Sequence, residues 1–371
     1  MRCGVILLAA MGLAAACARA AVPDDARMKG PFLIASTPYL ADGAVDFDAL
    51  VAEARYMDAA GCTGVIWPQS NDAIDLLTPD EKREGLRQLA VAAASFTNAV
   101  LTMGVSGTNT AETLAFATFA EALAADSPAP IALAVRPPTG ARTVAEVEEC
   151  FEALGRVAKR PVIIQTFVSD ECPAPSVKFL VDLARRFPGV YGYIKEESEG
   201  ARANVRQAEE IAAKPIVKTV FSAWGGWQWL YQHRALGTEG LVSERSAYAP
   251  LVAYIWRTMQ AGDPDGRLVE AYAMYRYLID QRAIPGGSLR GYSLYYLKQL
   301  GIFRTTLSRT YLSSRVTESG TFGVGHGWKL VDIDLTNAQR AELDANFKSM
   351  RQFLSRAGDV RTQDTRDTIC H

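Results

Sequence analysis

The chain has 371 residues, of which 49% are hydrophobic and 22% charged, a composition that excludes disordered and fibrous classes and is ordinary for a globular protein. This length suits one large domain with an appendage, or two to three smaller domains. The 39 basic and 41 acidic residues leave a formal net charge of -2, so nothing in the charge indicates nucleic acid as a partner.

The N-terminal segment differs in composition from the rest of the chain. Arg2 precedes a continuously apolar run, Val5 to Ala16, and Ala18-Arg19-Ala20 fits a small-x-small cleavage site. This pattern is typical of a secretory signal peptide, so we assign residues 1–20 to a leader and predict export to the periplasm or the exterior. The run is too short to predict a membrane span. The alternative is a lipoprotein, because Ala14 to Cys17 loosely resembles a lipid-attachment site.

Four cysteines remain after the leader, namely Cys62, Cys150, Cys172 and Cys370. Their spacings match no zinc or redox motif. Buried free thiols are therefore the preferred interpretation. An exported protein can form disulfides, and Cys150 with Cys172 is the pair we consider for that alternative.

From Pro31 onward, short apolar runs alternate with amphipathic segments of helical length. The runs are apolar almost throughout, as expected for parallel strands that are buried on both faces. Strands are predicted at Phe32–Ser36, Gly64–Trp67, Val100–Val105, Ile131–Val135, Val162–Phe167, Val190–Lys195, Ile216–Phe221 and Gly240–Ser243. Helices are predicted at Phe47–Ala60, Pro79–Ala94, Thr110–Ala124, Val144–Val157 and Ser176–Phe187. Residues 31–262 thus predict an α/β fold, a (β/α)₈ TIM barrel. A doubly wound open sheet is the alternative, but the chain has no glycine-rich dinucleotide turn to support it.

The alternation ends near Asp263, and residues 263–358 predict a C-terminal helical region packed on the barrel. Helices are predicted at Arg267–Arg282, Ser288–Leu300 and Thr336–Leu354. A loop over residues 303–333, which includes the glycine-rich run Gly320 to Gly327, interrupts them. Residues 359–371 are polar and predict a disordered tail.

Several short motifs between Phe32 and Gln260 follow one another in an order and spacing that match a known family. They are Ser36-Thr37-Pro38-Tyr39 with Asp42-Gly43-Ala44-Val45-Asp46-Phe47, Ala60-Gly61-Cys62-Thr63-Gly64, Leu77-Thr78-Pro79-Asp80-Glu81, Gly192-Tyr193-Ile194-Lys195-Glu196, and Leu236 to Ser243. On these residues the chain resembles the dihydrodipicolinate synthase / N-acetylneuraminate lyase family of class I aldolases, as a divergent, exported member. The resemblance implies the same barrel and C-terminal helices.

The resemblance also implies a chemistry. Family members condense or cleave 2-oxo acids through an imine on a lysine at the end of the sixth strand, and Lys195 holds that position. Barrel active sites lie at this end of the strands, where desolvation helps a lysine to lose its proton. Imine chemistry needs no cofactor, and no metal site is predicted. The competing interpretation is a structural ion pair, because alternation places Lys195 and Glu197 on the same side of the strand.

The remaining site positions depart from the family pattern. Ser70 and Asn71 stand where the family has a Gly-Thr-Thr-Gly-Glu loop, and they could still bind a substrate carboxylate. Gln165 replaces the tyrosine that relays protons, and Thr139 falls where another relay tyrosine is usual. A glutamine can orient an oxygen but cannot serve as a general acid–base. The specific activity of dihydrodipicolinate synthase is therefore not expected.

Charged residues end the fourth and the eighth candidate strands. Arg136 is a candidate for binding a substrate carboxylate, and Glu244 is a candidate for a replacement acid–base. Each is equally well interpreted as half of a salt bridge at the rim. Aromatic rings at a barrel mouth often stack on sugars, so Trp67 and Trp224 are left open as binding residues. For Trp227 and Trp229, packing is the preferred interpretation.

The leading hypothesis is a Schiff-base-forming lyase or aldolase that acts on a 2-oxo acid or sugar acid with an atypical proton relay. Its partner is a small-molecule carboxylate substrate, and a homo-oligomer is left open by the resemblance. The alternative is a non-catalytic or repurposed barrel that binds a small acid or glycan outside the cytoplasm. A third hypothesis, a glycoside hydrolase, requires two carboxylates about 5–10 Å apart. Glu197 and Glu244 are the candidates for that pair.

Overall fold

The computed structural model describes residues 22–69, 74–166, 174–198, 200–280, 291–312, 314–317, 320–323, 327–332 and 335–359. The predicted leader with Cys17, the candidate ligands Ser70 and Asn71, and the predicted tail beyond residue 359 lie outside these ranges. Cys172 and Cys370 lie outside them as well. Cys62 and Cys150 are buried free thiols, as predicted.

Eight parallel strands form the barrel, in the order β7-β6-β5-β4-β3-β2-β1-β8. They are β1 Gly30–Ile34, β2 Gly64–Trp67, β3 Val100–Gly104, β4 Ile131–Val135, β5 Val162–Gln165, β6 Tyr193–Lys195, β7 Thr219–Phe221 and β8 Gly240–Ser243. Backbone hydrogen bonds from Ser222 to Gly240 (2.9 Å) and from Val242 to Ser222 (2.9 Å) join β7 to β8. These bonds close the ring, which confirms the predicted TIM barrel and excludes the open sheet.

Helices follow the strands in turn. They are α1 Phe47–Ala60, α2 Pro79–Ala93, α3 Thr110–Ala125, α4 Val144–Val157, α5 Val177–Arg186, α6 Gly200–Ala212, α7 Trp229–Tyr231 and α8 Ala249–Gln260. Capping boxes begin α2 at Thr78 and Glu81 and α4 at Thr143 and Glu146, so the first backbone N–H groups of both helices have acceptors. Within the described part of the chain, no helix combines the length and apolar character that a membrane crossing requires.

Side chains inside the barrel form an apolar cluster of their own. It consists of Met28, Phe32, Ile34, Ile66, Val100, Ala132, Ala134, Ile163, Tyr193, Phe221 and Val242. A Cβ at Gly64 would lie 2.0 Å from the Phe32 ring, so the glycine provides the space that the ring fills. Because side chains alternate along a strand, residues two positions beyond this cluster point toward the C-terminal mouth. Those positions include Arg136, Gln165, Lys195 and Glu244.

The C-terminal region contains helices α9 Leu268–Asp280, α10 Gly291–Gln299 and α11 Asn337–Arg356. Stacking of Tyr296 on Phe347 (4.5 Å between centroids) joins α10 to α11, and an edge contact between Tyr254 and Phe353 (5.5 Å) joins α11 to α8. The predicted packing of helices on the barrel is therefore confirmed.

The segment predicted as an interrupting loop contains strands. Four strands lie there: β9 Ser308–Tyr311, β10 Ser314–Thr317, β11 Gly320–Gly323 and β12 Trp328–Val331. Strand β9 pairs with β12 and β10 pairs with β11, both antiparallel. The loop prediction was wrong here, because these strands are short and polar and β9 pairs with a strand that lies beyond an intervening hairpin.

Arg309 of β9 fastens this region to the barrel. Its guanidinium donates to the carbonyls of Leu76 (2.9 Å) and Gly43 (2.8 Å) and to both carboxylate oxygens of Glu81. It also lies over the ring of Tyr39, 4.8 Å from the centroid. Burial alone would raise the pKa of Glu81, but the hydrogen bonds from Arg309 hold that pKa below its usual value.

Replacing Arg309 tests this attachment. Arg309→Ala leaves a carboxylate and two carbonyls without their donor, and we expect it to lower the free energy of unfolding by roughly 3 kcal/mol. Arg83→Ala is the control because its ion pair with Asp80 is exposed, and it should change stability by less than about 1 kcal/mol. Urea unfolding compares the variants. Equal midpoints for both would contradict a fastening role for Arg309.

Candidate active site

The pairing of β5 with β6 brings two predicted site residues together. Gln165 lies opposite Lys195 in the parallel register. Both follow residues of the interior cluster, Ile163 and Tyr193, by two positions, so both side chains point into the barrel near its C-terminal mouth. Lys195 is 1% exposed and Gln165 is 1% exposed, which places both in a desolvated environment.

Lys195 contacts a carboxylate two residues along the chain. Its Nζ lies 3.2 Å from Oε2 of Glu197, whose side chain is 4% exposed. The Gln165 side chain donates a hydrogen bond from Nε2 to the same Oε2. An amine, a carboxylate and an amide therefore meet at one oxygen, and we call these three residues the Lys195 cluster.

Thr166 holds the backbone of this cluster. Its backbone N–H donates to the Lys195 carbonyl (3.0 Å), and its Oγ1 accepts from the Glu197 N–H (2.8 Å). The peptides on either side of Glu196 are thus held by Thr166, the residue directly after β5. Thr166 was not among the site residues predicted from the sequence, where its only signal was a hydroxyl at the end of a strand.

The Lys195 cluster has the parts for proton transfer at an amine. A carboxylate within hydrogen-bonding distance of an amine can accept its proton and return it to a reacting group. The amide of Gln165 cannot exchange a proton at a useful pKa, but it can keep the carboxylate oriented. From the sequence, Glu197 was a candidate ion-pair partner of Lys195 or one carboxylate of a hydrolase pair, and its hydrogen bond with Gln165 is a new feature of the site.

Arg136, at the end of β4, is 6% exposed and forms an ion pair. Its Nη2 lies 2.6 Å from both carboxylate oxygens of Asp75, in the turn Ile74–Leu76 after β2. Nε has no hydrogen-bond partner among the described residues. The ion pair agrees with the salt-bridge interpretation, and substrate binding by Arg136 stays a prediction.

Lys82 of α2 lies close to this ion pair and was not identified from the sequence. Lys82 is 6% exposed, and its Nζ lies 5.1 Å from the centroid of the Phe116 ring. Burial lowers the pKa of Lys82, and the nearby carboxylates of Asp75 and Glu112 oppose this shift only in part. The rim between β2 and β4 thus carries two buried cations, Lys82 and Arg136.

Glu244, directly after β8, is also paired. Its Oε1 lies 3.3 Å from Nε of Arg245, and both side chains are largely buried. The turn Trp224–Gly226 covers this pair, since a Cβ at Gly225 would lie 3.5 Å from Glu244 Oε1. The rim salt-bridge interpretation therefore describes Glu244 as well, and its acid–base role stays a prediction.

A second buried group of charges lies behind the Lys195 cluster. Glu196 accepts from the Ser198 N–H (2.8 Å) and from Arg206 Nε (3.0 Å), and it is fully buried. Burial, together with the charge of Glu196, raises the pKa of Glu210 well above its usual value. Among the described ranges, no three His, Cys, Asp or Glu side chains come together as candidate metal ligands.

The tryptophans near the mouth divide into buried and exposed. Trp67 and Trp229 are each 0% exposed, and Nε1 of Trp67 donates to Thr37 Oγ1 (2.9 Å). Trp227 lies beneath the guanidinium of Arg276, 4.3 Å from the ring centroid. The predicted packing of Trp227 and Trp229 is thereby confirmed. Trp224 differs, because it is 41% exposed.

Known proteins with similar sequences and structures point to one family. The 4-hydroxy-tetrahydrodipicolinate synthase of Rhizobium meliloti strain 1021 is 26% identical over 204 residues, which are 53% of this chain and 67% of that protein. A prophage protein of the dihydrodipicolinic acid synthase family from E. coli K12, solved in complex with pyruvate, has a TM-score of 0.68 at 16% identity and covers 87% of this chain and 98% of its own.

A dihydrodipicolinate synthase from Agrobacterium tumefaciens strain C58 has a TM-score of 0.65 at 21% identity, covering 88% of this chain and 99% of its own. No family model matches the chain. At these identities the solved structures establish the fold, and the low values show how far the sequence has diverged.

A double-mutant cycle tests the coupling inside the Lys195 cluster. Lys195→Met leaves the Glu197 carboxylate buried without its cation, and Glu197→Gln leaves the ammonium without its anion. We expect each to lower the free energy of unfolding by about 3 kcal/mol, with the double variant close to the wild type. Urea unfolding measures all four proteins. Additive losses would show that the contact carries no coupling.

The raised pKa of Glu210 predicts a pH dependence of stability. A carboxyl whose pKa rises on folding stabilises the native state at low pH, and this contribution is lost as pH rises from 4.5 through the folded-state pKa. The stability difference between wild type and Glu210→Gln should therefore decline with pH, by at most about 1.4 kcal/mol per pH unit. Unfolding measured across this range gives the difference, and a flat profile would contradict the assignment.

Proposed function

Because the chain is a divergent relative of the dihydrodipicolinate synthases, we propose that it is a lyase or aldolase that forms an imine between Lys195 and a 2-oxo acid or sugar acid. The observation that carries this proposal is the position of Lys195, the last residue of β6, whose side chain points into the barrel near its C-terminal mouth. Glu197 Oε2 lies 3.2 Å from its Nζ, so an amine and a proton acceptor share one desolvated place. The pyruvate bound in the E. coli relative supports a 2-oxo acid as the ligand.

The first half of the reaction forms the imine. Glu197 takes a proton from the Lys195 ammonium, and the free amine attacks the 2-oxo carbon. The resulting carbinolamine loses its hydroxyl as water, with the proton supplied by Glu197, and a protonated imine remains. The positive nitrogen then acts as an electron sink for the neighbouring carbon.

The second half makes or breaks the carbon–carbon bond. In condensation, Glu197 removes a proton from the carbon next to the imine, and the enamine attacks an aldehyde carbon whose oxygen takes that proton. Water then hydrolyses the imine, releases the product and restores the Lys195 ammonium. Cleavage is the same sequence in reverse. All proton transfers occur at Glu197, whose carboxylate Gln165 orients, so no relay tyrosine is needed.

The substrate carboxylate has its own proposed ligands. Arg136 is the candidate that the structure describes. Its Nε has no hydrogen-bond partner among the described residues, so it can donate to a carboxylate oxygen. Ser70 and Asn71 are proposed for the same task on the sequence alone, since they lie outside the described residues. Glu244 is proposed to contact the distal part of the substrate.

The place of action is also a proposal. The charged start, apolar run and small-x-small site within residues 1–20 support export, with cleavage after Ala20. The intact mass of the protein recovered from its natural host distinguishes this cleavage from lipid attachment at Cys17 and from retention of the whole segment.

A second candidate function is a non-catalytic barrel that binds a small acid or glycan. The observation that favours it is the burial of Lys195, which is 1% exposed and already in contact with Glu197. In this function the pair is purely structural, and the amine never becomes free.

Reductive trapping distinguishes the two functions. The wild type is incubated with pyruvate or other 2-oxo acids and borohydride, and the intact mass is measured. We expect a reduced adduct in the wild type and none in Lys195→Met. Lys218→Met is the control, because Lys218 contacts Asp25 (3.0 Å) at the opposite end of the barrel and should leave the adduct unchanged. Absence of an adduct with every oxo acid tested would contradict the lyase or aldolase and favour the binding function.

A further inference from the structure

The turn Trp224–Gly226 has an unusual backbone at the barrel mouth. Trp224 adopts φ 53°, in the left-handed region that non-glycine residues seldom enter. Such a conformation persists only where the surrounding structure holds it, and it is commonest at functional sites. Trp224 is also 41% exposed, although tryptophan is the largest apolar side chain. The exposed ring contrasts with those of Trp67 and Trp229, which are each 0% exposed.

Tyrosines of α9 hold this backbone in place. Tyr275 donates from its hydroxyl to the Gly225 carbonyl (2.6 Å), and Tyr272 donates to the Gly226 carbonyl (2.8 Å). Both tyrosines are largely buried. The C-terminal region therefore fixes the turn that carries Trp224.

The indole is also fixed, through its polar edge. Nε1 of Trp224 donates to the Ser198 carbonyl (3.1 Å), so the side chain reaches from the end of β7 to the segment after β6. Ser198 follows Glu197 directly, and its N–H is held by Glu196 (2.8 Å). With its N–H satisfied, the exposed part of the ring is an apolar face in a set orientation, anchored on the residue directly after Glu197.

Charged groups lie next to the following residue of the same turn. Gly225 sits over the Glu244–Arg245 ion pair, and a Cβ added to this glycine would lie 3.5 Å from Glu244 Oε1 and 3.7 Å from Arg245 Nε. A rigid aromatic face beside paired hydrogen-bonding groups suits a chain that has C–H faces and hydroxyl groups. It suits a purely apolar ligand less well, because such a ligand has no group that can hydrogen-bond to the ion pair.

We propose that Trp224 is a specificity-determining residue: its indole face stacks on the hydroxylated chain of the substrate beyond the carbon held at Lys195, with Glu244 and Arg245 as partners for the hydroxyls. This inference rests on the proposed function, which places the reacting carbon at Lys195.

Calorimetric titration with D-gluconate tests this role without requiring turnover. D-gluconate is a stable stand-in that has both a carboxylate and a hydroxylated chain. Trp224→Gly removes the ring and suits the φ of 53°, so the fold should be retained, and an unchanged unfolding midpoint would verify this. We expect about tenfold weaker binding in Trp224→Gly. Trp224→Phe should retain most of the affinity because it keeps an aromatic face.

Tyr277→Ala is the matched control, since Tyr277 is an exposed aromatic residue (55%) on α9, and its binding should equal that of the wild type. Equal affinity of Trp224→Gly and wild type, or no binding of D-gluconate by the wild type, would overturn the inference. Borohydride trapping with pyruvate is run in parallel. If wild type and Trp224→Gly form the adduct equally and bind D-gluconate with equal affinity, the role of Trp224 is refuted and the imine chemistry stands. If the wild type forms no adduct but Trp224→Gly binds D-gluconate tenfold more weakly, the imine chemistry is refuted and the role of Trp224 stands.

Discussion

The mouth of this barrel is organised around a buried ion pair between Lys195 and Glu197. Two charges removed from water are costly unless each finds a partner and the remaining hydrogen-bonding positions are filled. Here Glu197 receives the Lys195 ammonium at 3.2 Å and the Gln165 amide at one oxygen, and Thr166 accepts its backbone N–H at 2.8 Å. The register of β5 against β6 brings these groups together, so the strand pairing that builds the barrel wall also assembles the site.

The same arrangement recurs around the rim. Arg136 is paired with Asp75, Glu244 with Arg245, and Glu196 with Arg206. Arg136 and Glu196 are thereby joined to other segments of the chain, whereas Glu244 is paired with the next residue. A rim of this kind holds loops in position and leaves few unpaired charges to attract unrelated ions. The ring of Trp224 differs from these paired groups because it is 41% exposed, and we therefore propose that it contacts the substrate.

Much of the fold could be predicted from the sequence, and the reason is physical. Parallel strands buried on both faces leave continuous apolar runs, so β2, β4 and β8 were predicted to the residue. Strands β6 and β7 were predicted to begin too early. Val190 and Val217 extend the apolar runs because they are buried in the turns that precede these strands. Strand β9 was not predicted because it pairs with β12, beyond an intervening hairpin.

The site was predictable only in part. The position of Lys195 followed from the resemblance, and its contact with Glu197 followed from the alternation of side chains along a strand. The bond from Gln165 to Glu197 and the pairing of Arg136 with Asp75 join residues 32 and 61 positions apart, and no local pattern encodes such partners. A glutamine in place of a tyrosine therefore indicated a missing relay, whereas the structure provides a carboxylate oriented by that glutamine.

The central claim is that Glu197 moves protons to and from an imine on Lys195. Exchange of the methyl hydrogens of pyruvate for deuterium, followed by proton NMR in heavy water, tests it without a second substrate. The account predicts exchange by the wild type, none by Lys195→Met, and a rate lowered by roughly 10²–10⁴-fold in Glu197→Gln. Exchange at the wild-type rate in Glu197→Gln would contradict the relay, and absence of exchange in the wild type would contradict the imine itself.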